Sequence, residues 1–180
     1  MEENKKKPLW IRIVLWALAI VTLLIGAFSF TLFRASCARN DLEDKRLDFS
    51  VVDKNGAPVS LSNFQGTPIV VNFWAIWCPP CKQELPDFQD AYDEYKDEVT
   101  FLFVNVIRWQ GDTVEDVELF MSENGYTFPV YYDTDGNAAE TCGVSSIPLT
   151  LFIGRDGEVK KTYNAAIPAF LLRNYIEDIL

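Results

Sequence analysis

Two cysteines separated by two prolines are the residues of this sequence best suited to chemistry. Cys78 and Cys81 lie in the segment Trp-Cys-Pro-Pro-Cys-Lys at residues 77–82. A thiolate at Cys78 could attack a disulfide of another molecule. Cys81, one helical turn further on, would be close enough to resolve the mixed disulfide that forms. The motif therefore predicts dithiol–disulfide exchange.

The elements around the pair predict which cysteine attacks. Residues 68–74 are apolar on both sides of the pleat, as expected for a strand buried in the middle of a sheet, and a helix is predicted from near Pro79 to about Tyr95. Cys78 then stands at a helix N-terminus, where unpaired N–H groups and the helix dipole favour a thiolate. We expect Cys78 to be the exposed nucleophile at the carboxyl edge of the sheet, and Cys81 to be the resolving thiol.

A structural disulfide or half of a metal site is the alternative interpretation of the pair. Zinc and iron–sulfur sites need further ligands, and the sequence has no histidine and no second close cysteine pair. The lack of histidine also excludes Ser-His and Cys-His catalysis. Cys37 and Cys142 stand alone, and we expect Cys142 to be a half-buried packing residue. The sequence therefore favours redox chemistry, with no metal and no cofactor.

Size and charge restrict the other classes of function. A chain of 180 residues has room for one ordinary domain and an appendage. The formal net charge is -10, with 26 acidic against 16 basic residues. Nucleic-acid binding needs a basic surface that neutralises phosphates, so this charge argues against it.

The N-terminal part predicts a membrane anchor. Residues 13–33 carry no charge, and as a helix they would span roughly 30 Å, the thickness of the hydrocarbon core of a bilayer. Basic residues at positions 5, 6, 7 and 12 predict that the N-terminus is in the cytoplasm. The basic residues at 34, 39, 45 and 46, on the other side of the segment, weaken this prediction. The alternatives are a cleaved signal peptide and a lipid on Cys37.

The predicted organisation is therefore a cytoplasmic N-terminus (1–12), a transmembrane anchor (13–33), a linker (34–45) and an extracytoplasmic domain (46–180). Within the domain the pattern alternates strands and helices, as in βαβ units. Thr113 is a plausible N-cap, with Asp116 at the capping-box position. Besides 68–74 and the helix from Pro79, the predicted elements are strands at 49–53, 58–61, 101–106, 150–153 and 158–163, and helices at 113–123 and 168–180.

Residues 73–82, Phe-Trp-Ala-Ile-Trp-Cys-Pro-Pro-Cys-Lys, resemble the active-site strand and turn of thioredoxin-like proteins. With the N-terminal anchor and the early strands, the chain is similar to the TlpA and ResA type of extracytoplasmic thiol-disulfide oxidoreductase over residues 46–180. This resemblance implies an α/β thioredoxin fold, a central mixed sheet flanked by helices, preceded by one transmembrane helix. It also implies a reductase of protein disulfides, for example in cytochrome c biogenesis, that receives electrons from a membrane donor of the thiol-relay type.

The sequence leaves two questions open: whether the cysteine pair gives electrons to its substrates or takes them, and whether it is redox-active at all. Proteins with a Cys-x-x-Cys motif cover reduction potentials from about -270 mV to about -120 mV, so the motif does not fix reductase or oxidase. A thioredoxin fold can also be a redox-inert platform or sensor that binds a partner, although an intact cysteine pair argues against this.

The resemblance further implies a substrate-binding surface beside the cysteines. Ile147-Pro148 matches the cis-proline of the family, which faces the cysteine pair and helps to hold an extended substrate segment. The residues that flank or separate the cysteines, Trp77, Pro79 and Pro80, would complete this surface. Leu149 follows the proline where the family usually has threonine, so the surface next to Pro148 departs from the family pattern at this position.

Glu84 is the third predicted catalytic residue. It lies three residues after Cys81 and matches an acidic residue that modulates thiol ionisation in ResA-type proteins, so it could accept a proton from Cys81. Thioredoxin has a buried aspartate where this chain has Asn72, which we interpret as a hydrogen-bonded strand residue only. The alternative for Glu84 is a solvated acid near a helix N-terminus. Pro86 is expected inside the same helix.

Overall fold

The computed structural model describes Trp16, Leu18, Ile20, Val21, Thr22 and residues 42–180. The chain divides into two units, Met1–Asp41 and Leu42–Leu180. In the first unit the five described residues are helical, with exposed side chains. Among the residues that the structure describes, no helix combines the length and the apolar character needed to cross a membrane. Most of the predicted anchor, and Cys37, lie outside the described residues.

The second unit is built on a seven-stranded mixed sheet with the strand order β2-β1-β5-β4-β3-β6-β7. The strands are β1 Ser50–Val52, β2 Pro58–Ser60, β3 Ile69–Trp74, β4 Thr100–Asn105, β5 Val130–Tyr132, β6 Leu149–Ile153 and β7 Val159–Tyr163. The helices are α1 Pro79–Tyr95, α2 Val114–Asn124, α3 Asn137–Thr141 and α4 Ala169–Glu177, with a short 3-10 helix at Leu61–Phe64. These elements confirm the predicted alternation of strands and helices.

The position of β3 decides where the cysteines lie. All six of its residues are buried, and it pairs in parallel with β4 and antiparallel with β6. The carboxyl ends of β3 and β4 and the start of β6 therefore meet at one edge of the sheet. The turn to α1, the β4–α2 connection and the residues before β6 are brought together at this edge.

Helix α1 begins immediately after Cys78 and has two prolines in its first turn. Proline is tolerated there because the first N–H groups of a helix have no intrahelical acceptor. The buried residues recur at helical spacing along one face: Cys81, Glu84, Leu85, Phe88, Ala91 and Tyr95. Pro86 lies inside the helix, as predicted. One face of α1 thus carries both the resolving cysteine and Glu84 into the core.

Aromatic packing fixes α1 against the sheet. The ring of Phe88 meets that of Phe103 on β4 edge to face, with centroids 5.3 Å apart. Phe103 in turn stacks on Phe128 at 3.8 Å. Aromatic pairs of this kind stabilise beyond the area that they bury. They hold the helix that carries the cysteines at a defined position over β3 and β4.

Three elements were not predicted from the sequence: the 3-10 helix Leu61–Phe64, β5 and α3. β5 has only three residues, and it is defined by pairing with β4 on one side and β1 on the other. α3 has five residues, and its first amides are bound by the buried carboxylate of Asp133, which accepts from the N–H groups of Ala138 and Ala139. By contrast, the predicted capping box of α2 is present, with Thr113 and Asp116 bonded reciprocally. Short elements that depend on distant partners leave no periodic signal in the sequence.

Candidate active site

Cys78 and Cys81 are joined in a disulfide, with an S–S distance of 2.00 Å and Cα atoms 5.3 Å apart. Cys78 is the N-cap of α1, and its sulfur accepts a hydrogen bond from the backbone N–H of Cys81 at 3.2 Å. Pro79 and Pro80 have no N–H, so this amide is the first that the helix can offer. After reduction the same N–H and the helix dipole would stabilise a thiolate at Cys78.

The prediction that Cys78 is exposed is wrong for this disulfide form. Cys78 is only 2% exposed, and Cys81 is fully buried. The cover includes a segment distant in sequence, because the carbonyl oxygen of Ile147 lies 3.9 Å from the Cys78 sulfur. Trp77 is half-buried beside it. Cys78 is still the more accessible of the two sulfur-bearing residues, so the order of roles is unchanged.

The Ile147-Pro148 peptide bond is cis, as the resemblance implied. Pro148 is buried and Ile147 is half-buried, whereas Pro79 and Pro80 on the other side of the sulfur are exposed. All the residues predicted to bind substrate therefore lie around Cys78. Their role in binding stays a prediction.

Glu84 lies three residues after Cys81 among the buried residues of α1 and is only 2% exposed. Its Oε1 accepts from the Asn72 Nδ2 at 2.9 Å, and its Oε2 accepts from the Ile167 backbone N–H at 2.7 Å. Burial raises the pKa of Glu84 to about 7, although the hydrogen bonds from Ile167 and Asn72 oppose this by favouring the charged form. A carboxyl with this pKa can accept or donate a proton at neutral pH. The alternative of a solvated helix acid is excluded by its burial.

Asn72 has a larger part than the sequence suggested. Its Nδ2 donates to Glu84 and also to the Thr150 Oγ1 at 3.0 Å. Thr150 is its antiparallel partner on β6. The side chain thus supports Glu84 from the position where thioredoxin has an acid. Neither Thr150 nor the Ile167 amide was foreseen, because both come from distant parts of the chain.

Asp112 is a second residue that the sequence did not point to. It is 8% exposed, and its Oδ2 accepts from the backbone N–H of Ile76 at 3.0 Å and from the Asn105 Nδ2 at 3.3 Å. Ile76 lies two residues before Cys78. Asp112 therefore links the β4–α2 connection by a hydrogen bond to the turn that leads into the cysteine pair.

Cys142 is fully buried rather than half-buried as expected. Burial, with a smaller contribution from the charge of Asp133, raises the pKa of its thiol to about 12. It is therefore a thiol and not a thiolate at neutral pH, which suits a packing role.

Among the described residues no cluster of His, Cys, Asp or Glu could hold a metal ion.

Comparison with known proteins agrees with this site. Residues 42–162 match the model of the AhpC/TSA family. The chain is 32% identical over 177 residues to the thiol-disulfide oxidoreductase ResA of Bacillus subtilis (strain 168), covering 96% of this chain and 94% of that protein. It is 33% identical over 149 residues to ResA of Oceanobacillus iheyensis, covering 82% and 74%.

Solved structures show the same fold. The crystal structure of StoA from Bacillus subtilis has a TM-score of 0.63 and 31% identity, and covers 73% of this chain and 98% of StoA. The exposed lipoprotein thioredoxin Etrx1 of Streptococcus pneumoniae has a TM-score of 0.64 and 28% identity, covering 73% and 98%. The compact unit has the thioredoxin-like α/β fold, with the mixed sheet and flanking helices that the sequence led us to expect.

We predict that Cys81→Ser accumulates mixed disulfides through Cys78, because it keeps the attacking thiolate and removes the resolving thiol. Cys78→Ser should trap far less, since Cys81 is fully buried and lies one turn inside the helix. Non-reducing gels with and without reductant measure the conjugates. Cys142→Ser is the matched control and should trap none. Equal trapping by the variants of Cys78 and Cys81 would contradict the assigned roles.

We predict that Glu84→Gln slows turnover and flattens its pH dependence around neutrality, because the variant lacks the carboxyl whose pKa is raised to about 7. Rates measured from pH 5.5 to 8.5, on the order of three units around that pKa, test this. Asp90→Asn removes an exposed carboxylate from the same helix and should leave the profile unchanged. An unaltered profile in Glu84→Gln would exclude Glu84 from the proton transfer.

The same substitution has a stability counterpart. The pKa of Glu84 in the folded protein is raised above its ordinary value of 4.5 to about 7. Its contribution to the free energy of unfolding is therefore fully present below the ordinary value and is lost as the pH rises through about 7. Wild-type protein should lose on the order of 1–3 kcal/mol across this window from this group, and Glu84→Gln should not. Denaturant unfolding of the oxidised proteins at pH 4.5 and pH 8 measures the difference.

Proposed function

This chain belongs to the AhpC/TSA family and is a thiol-disulfide oxidoreductase, and we propose that it is a membrane-anchored reductase of protein disulfides on the extracytoplasmic side. The observation that supports the proposal is the cysteine pair together with Glu84 on the same helix. The sulfur of Cys78 accepts from the N-terminus of α1, and the carboxyl three residues after Cys81 is buried and has a pKa of about 7. In this proposal Cys78 is the nucleophile and Glu84 accepts the proton of the resolving cysteine.

In the proposed cycle the reduced protein acts first through Cys78. Its thiolate attacks one sulfur of a substrate disulfide, forms a mixed disulfide and releases the other sulfur as a thiolate. Cys81 passes its proton to Glu84 and attacks the Cys78 sulfur, which releases the second substrate sulfur as a thiolate. Glu84 then gives its proton to a substrate thiolate or to solvent. Two electrons have then passed from the pair to the substrate, and the pair is left as the Cys78–Cys81 disulfide.

A specific electron donor is proposed to restore the dithiol. In the disulfide form Cys78 is 2% exposed and Cys81 is fully buried, so small thiols in solution have poor access to the sulfurs. A donor protein that binds around Trp77 and Pro148 would overcome this cover. We assign this role to a membrane protein of the thiol-relay type, which an anchored partner meets without diffusion through solution.

Proteins with disulfides outside the cytoplasm are the proposed substrates, including apocytochromes that await haem. The support is the similarity to ResA proteins together with the predicted topology. The match to ResA of Bacillus subtilis covers 96% of this chain and thus extends into the charge-free segment 13–33. The other class considered from the sequence, a redox-inert binding module, is disfavoured by the intact Cys78–Cys81 pair.

The reduction potential of the fragment Leu42–Leu180 tests the direction of transfer. We predict a value nearer to about -270 mV than to about -120 mV. The Cys142→Ala fragment is the control and should give the same potential, because its thiol is buried away from the exchange. A value near the upper figure would make the protein an oxidant. Failure of the pair to cycle between dithiol and disulfide would favour the inert module.

The proposed topology gives a separate prediction with a matched pair of variants. In a background of Cys37→Ser, Cys78→Ser and Cys81→Ser, Asp90→Cys places an exposed thiol on α1, and Asn4→Cys places one before the predicted anchor. A membrane-impermeant maleimide should label the first in intact cells and the second only after permeabilisation, because the basic residues before the anchor retain the N-terminus inside. The opposite pattern would reverse the orientation.

A further inference from the structure

The loop between β4 and α2 is hydrogen-bonded at both of its ends to the segment 74–78, which leads into the cysteine pair. At its start, the Val106 N–H donates to the carbonyl oxygen of Trp74 at 3.0 Å. At its end, Asp112 accepts from the Ile76 N–H at 3.0 Å. The Cys78 N–H is itself bonded to the Ala75 carbonyl oxygen at 3.2 Å. Residues 106–112 therefore lie directly beside residues 74–78.

Trp109 is the central aromatic residue of this loop. Its N–H donates to the Val106 carbonyl oxygen at 3.0 Å, which closes a turn and keeps the two Cα atoms within about 7 Å. The next anchor is Arg108, whose guanidinium donates to the backbone oxygen of Asp135. The backbone that presents Trp109 is thus held at several points, close to the start of the active-site turn.

The side chain of Trp109 is nevertheless 38% exposed. The two tryptophans of the adjoining segment 74–78 are less exposed than Trp109: Trp74 is fully buried and Trp77 is half-buried. The other large apolar side chains exposed in residues 42–180 are Leu119, Phe170 and Leu180, which lie on α2, on α4 and at the C-terminus. Of these four, Trp109 is the one on the loop bonded to the active-site turn.

A tryptophan held in this way is suited to binding. It presents a large apolar ring at little cost in conformational freedom, and tryptophan is enriched among the residues that dominate binding energy in interfaces. Four uncharged residues lie next to Cys78 in the sequence or at the cis-proline segment: Trp77 and Ile147 are half-buried, and Pro79 and Pro80 are exposed. The matching ligand is an apolar side chain on an extended segment that carries a disulfide.

We propose that Trp109 is a specificity-determining residue that binds an apolar or aromatic side chain next to the cystine of a protein substrate. This inference rests on the proposed function, since it names the class of protein disulfide that the same site would bind. Trp109 takes no part in the exchange of sulfur bonds. Its contribution is to the capture of substrates whose disulfide is flanked by apolar residues.

Two synthetic peptide disulfides test the inference, one with phenylalanine on both sides of a cysteine and one with serine at those positions. Pre-reduced full-length protein in detergent is mixed with each, and the second-order rate constant of disulfide reduction is measured. Trp109→Ala should lower the constant for the phenylalanine peptide about ten-fold and leave that for the serine peptide unchanged. Trp109→Phe should restore most of the loss.

Gln110→Ala is the matched control, because it removes an exposed neighbour in the same loop and should change neither constant. Reduction of 5,5′-dithiobis(2-nitrobenzoic acid) reports the cysteine pair alone and should be equal in all four proteins. Equal losses on both peptides and the small disulfide would show a structural effect and overturn the inference, as would no loss at all. A wild-type protein that reduces none of the three would overturn the proposed function and this inference with it.

Discussion

The hydrogen bond from the Cys81 N–H to the Cys78 sulfur is the interaction on which the rest of the site depends. Two prolines precede this amide in the helix, and neither can donate. The positive end of α1 is therefore directed at a single sulfur, at 3.2 Å. This geometry exists only because β3, fully buried, stops at Trp74 and delivers the chain to the helix at the edge of the sheet. The hydrogen bond that favours a thiolate at Cys78 therefore comes from the backbone of the helix.

Burial raises the pKa of both Glu84 and Cys142 in the core, with different results at neutral pH. Cys142 is buried with an acid nearby, so its thiol is held protonated and inert. Glu84 is equally buried, but Asn72 and the Ile167 amide donate to its two oxygens. These donors offset part of the desolvation, and the pKa settles at about 7 instead of rising further. Glu84 can exchange a proton at neutral pH and Cys142 cannot, because burial acts on a carboxyl whose ordinary pKa is 4.5 and on a thiol whose ordinary pKa is 9.0.

The edge of the sheet also explains why the site has a covered form. The cis-proline segment before β6 comes to within 3.9 Å of the Cys78 sulfur, and the β4–α2 loop is fastened to the other side through Asp112. Both segments are positioned by strands that flank β3 on either side. A partner must therefore approach the disulfide across surfaces contributed by three parts of the chain. Selectivity between substrates and donors is a natural consequence of such an approach.

The sequence by itself determined the features that depend on neighbours within a few residues. The spacing of Cys78 and Cys81, the apolar run that becomes β3 and the capping box at Thr113 are of this kind, because each results from local periodicity or local hydrogen bonding. The tertiary structure alone decided the covering of the cysteines and the environment of Glu84. The donor to Glu84 from Ile167 is 83 residues away in sequence, and the strand β5 exists only through its partners. Contacts at such separation depend on how the sheet assembles, and no local pattern records them.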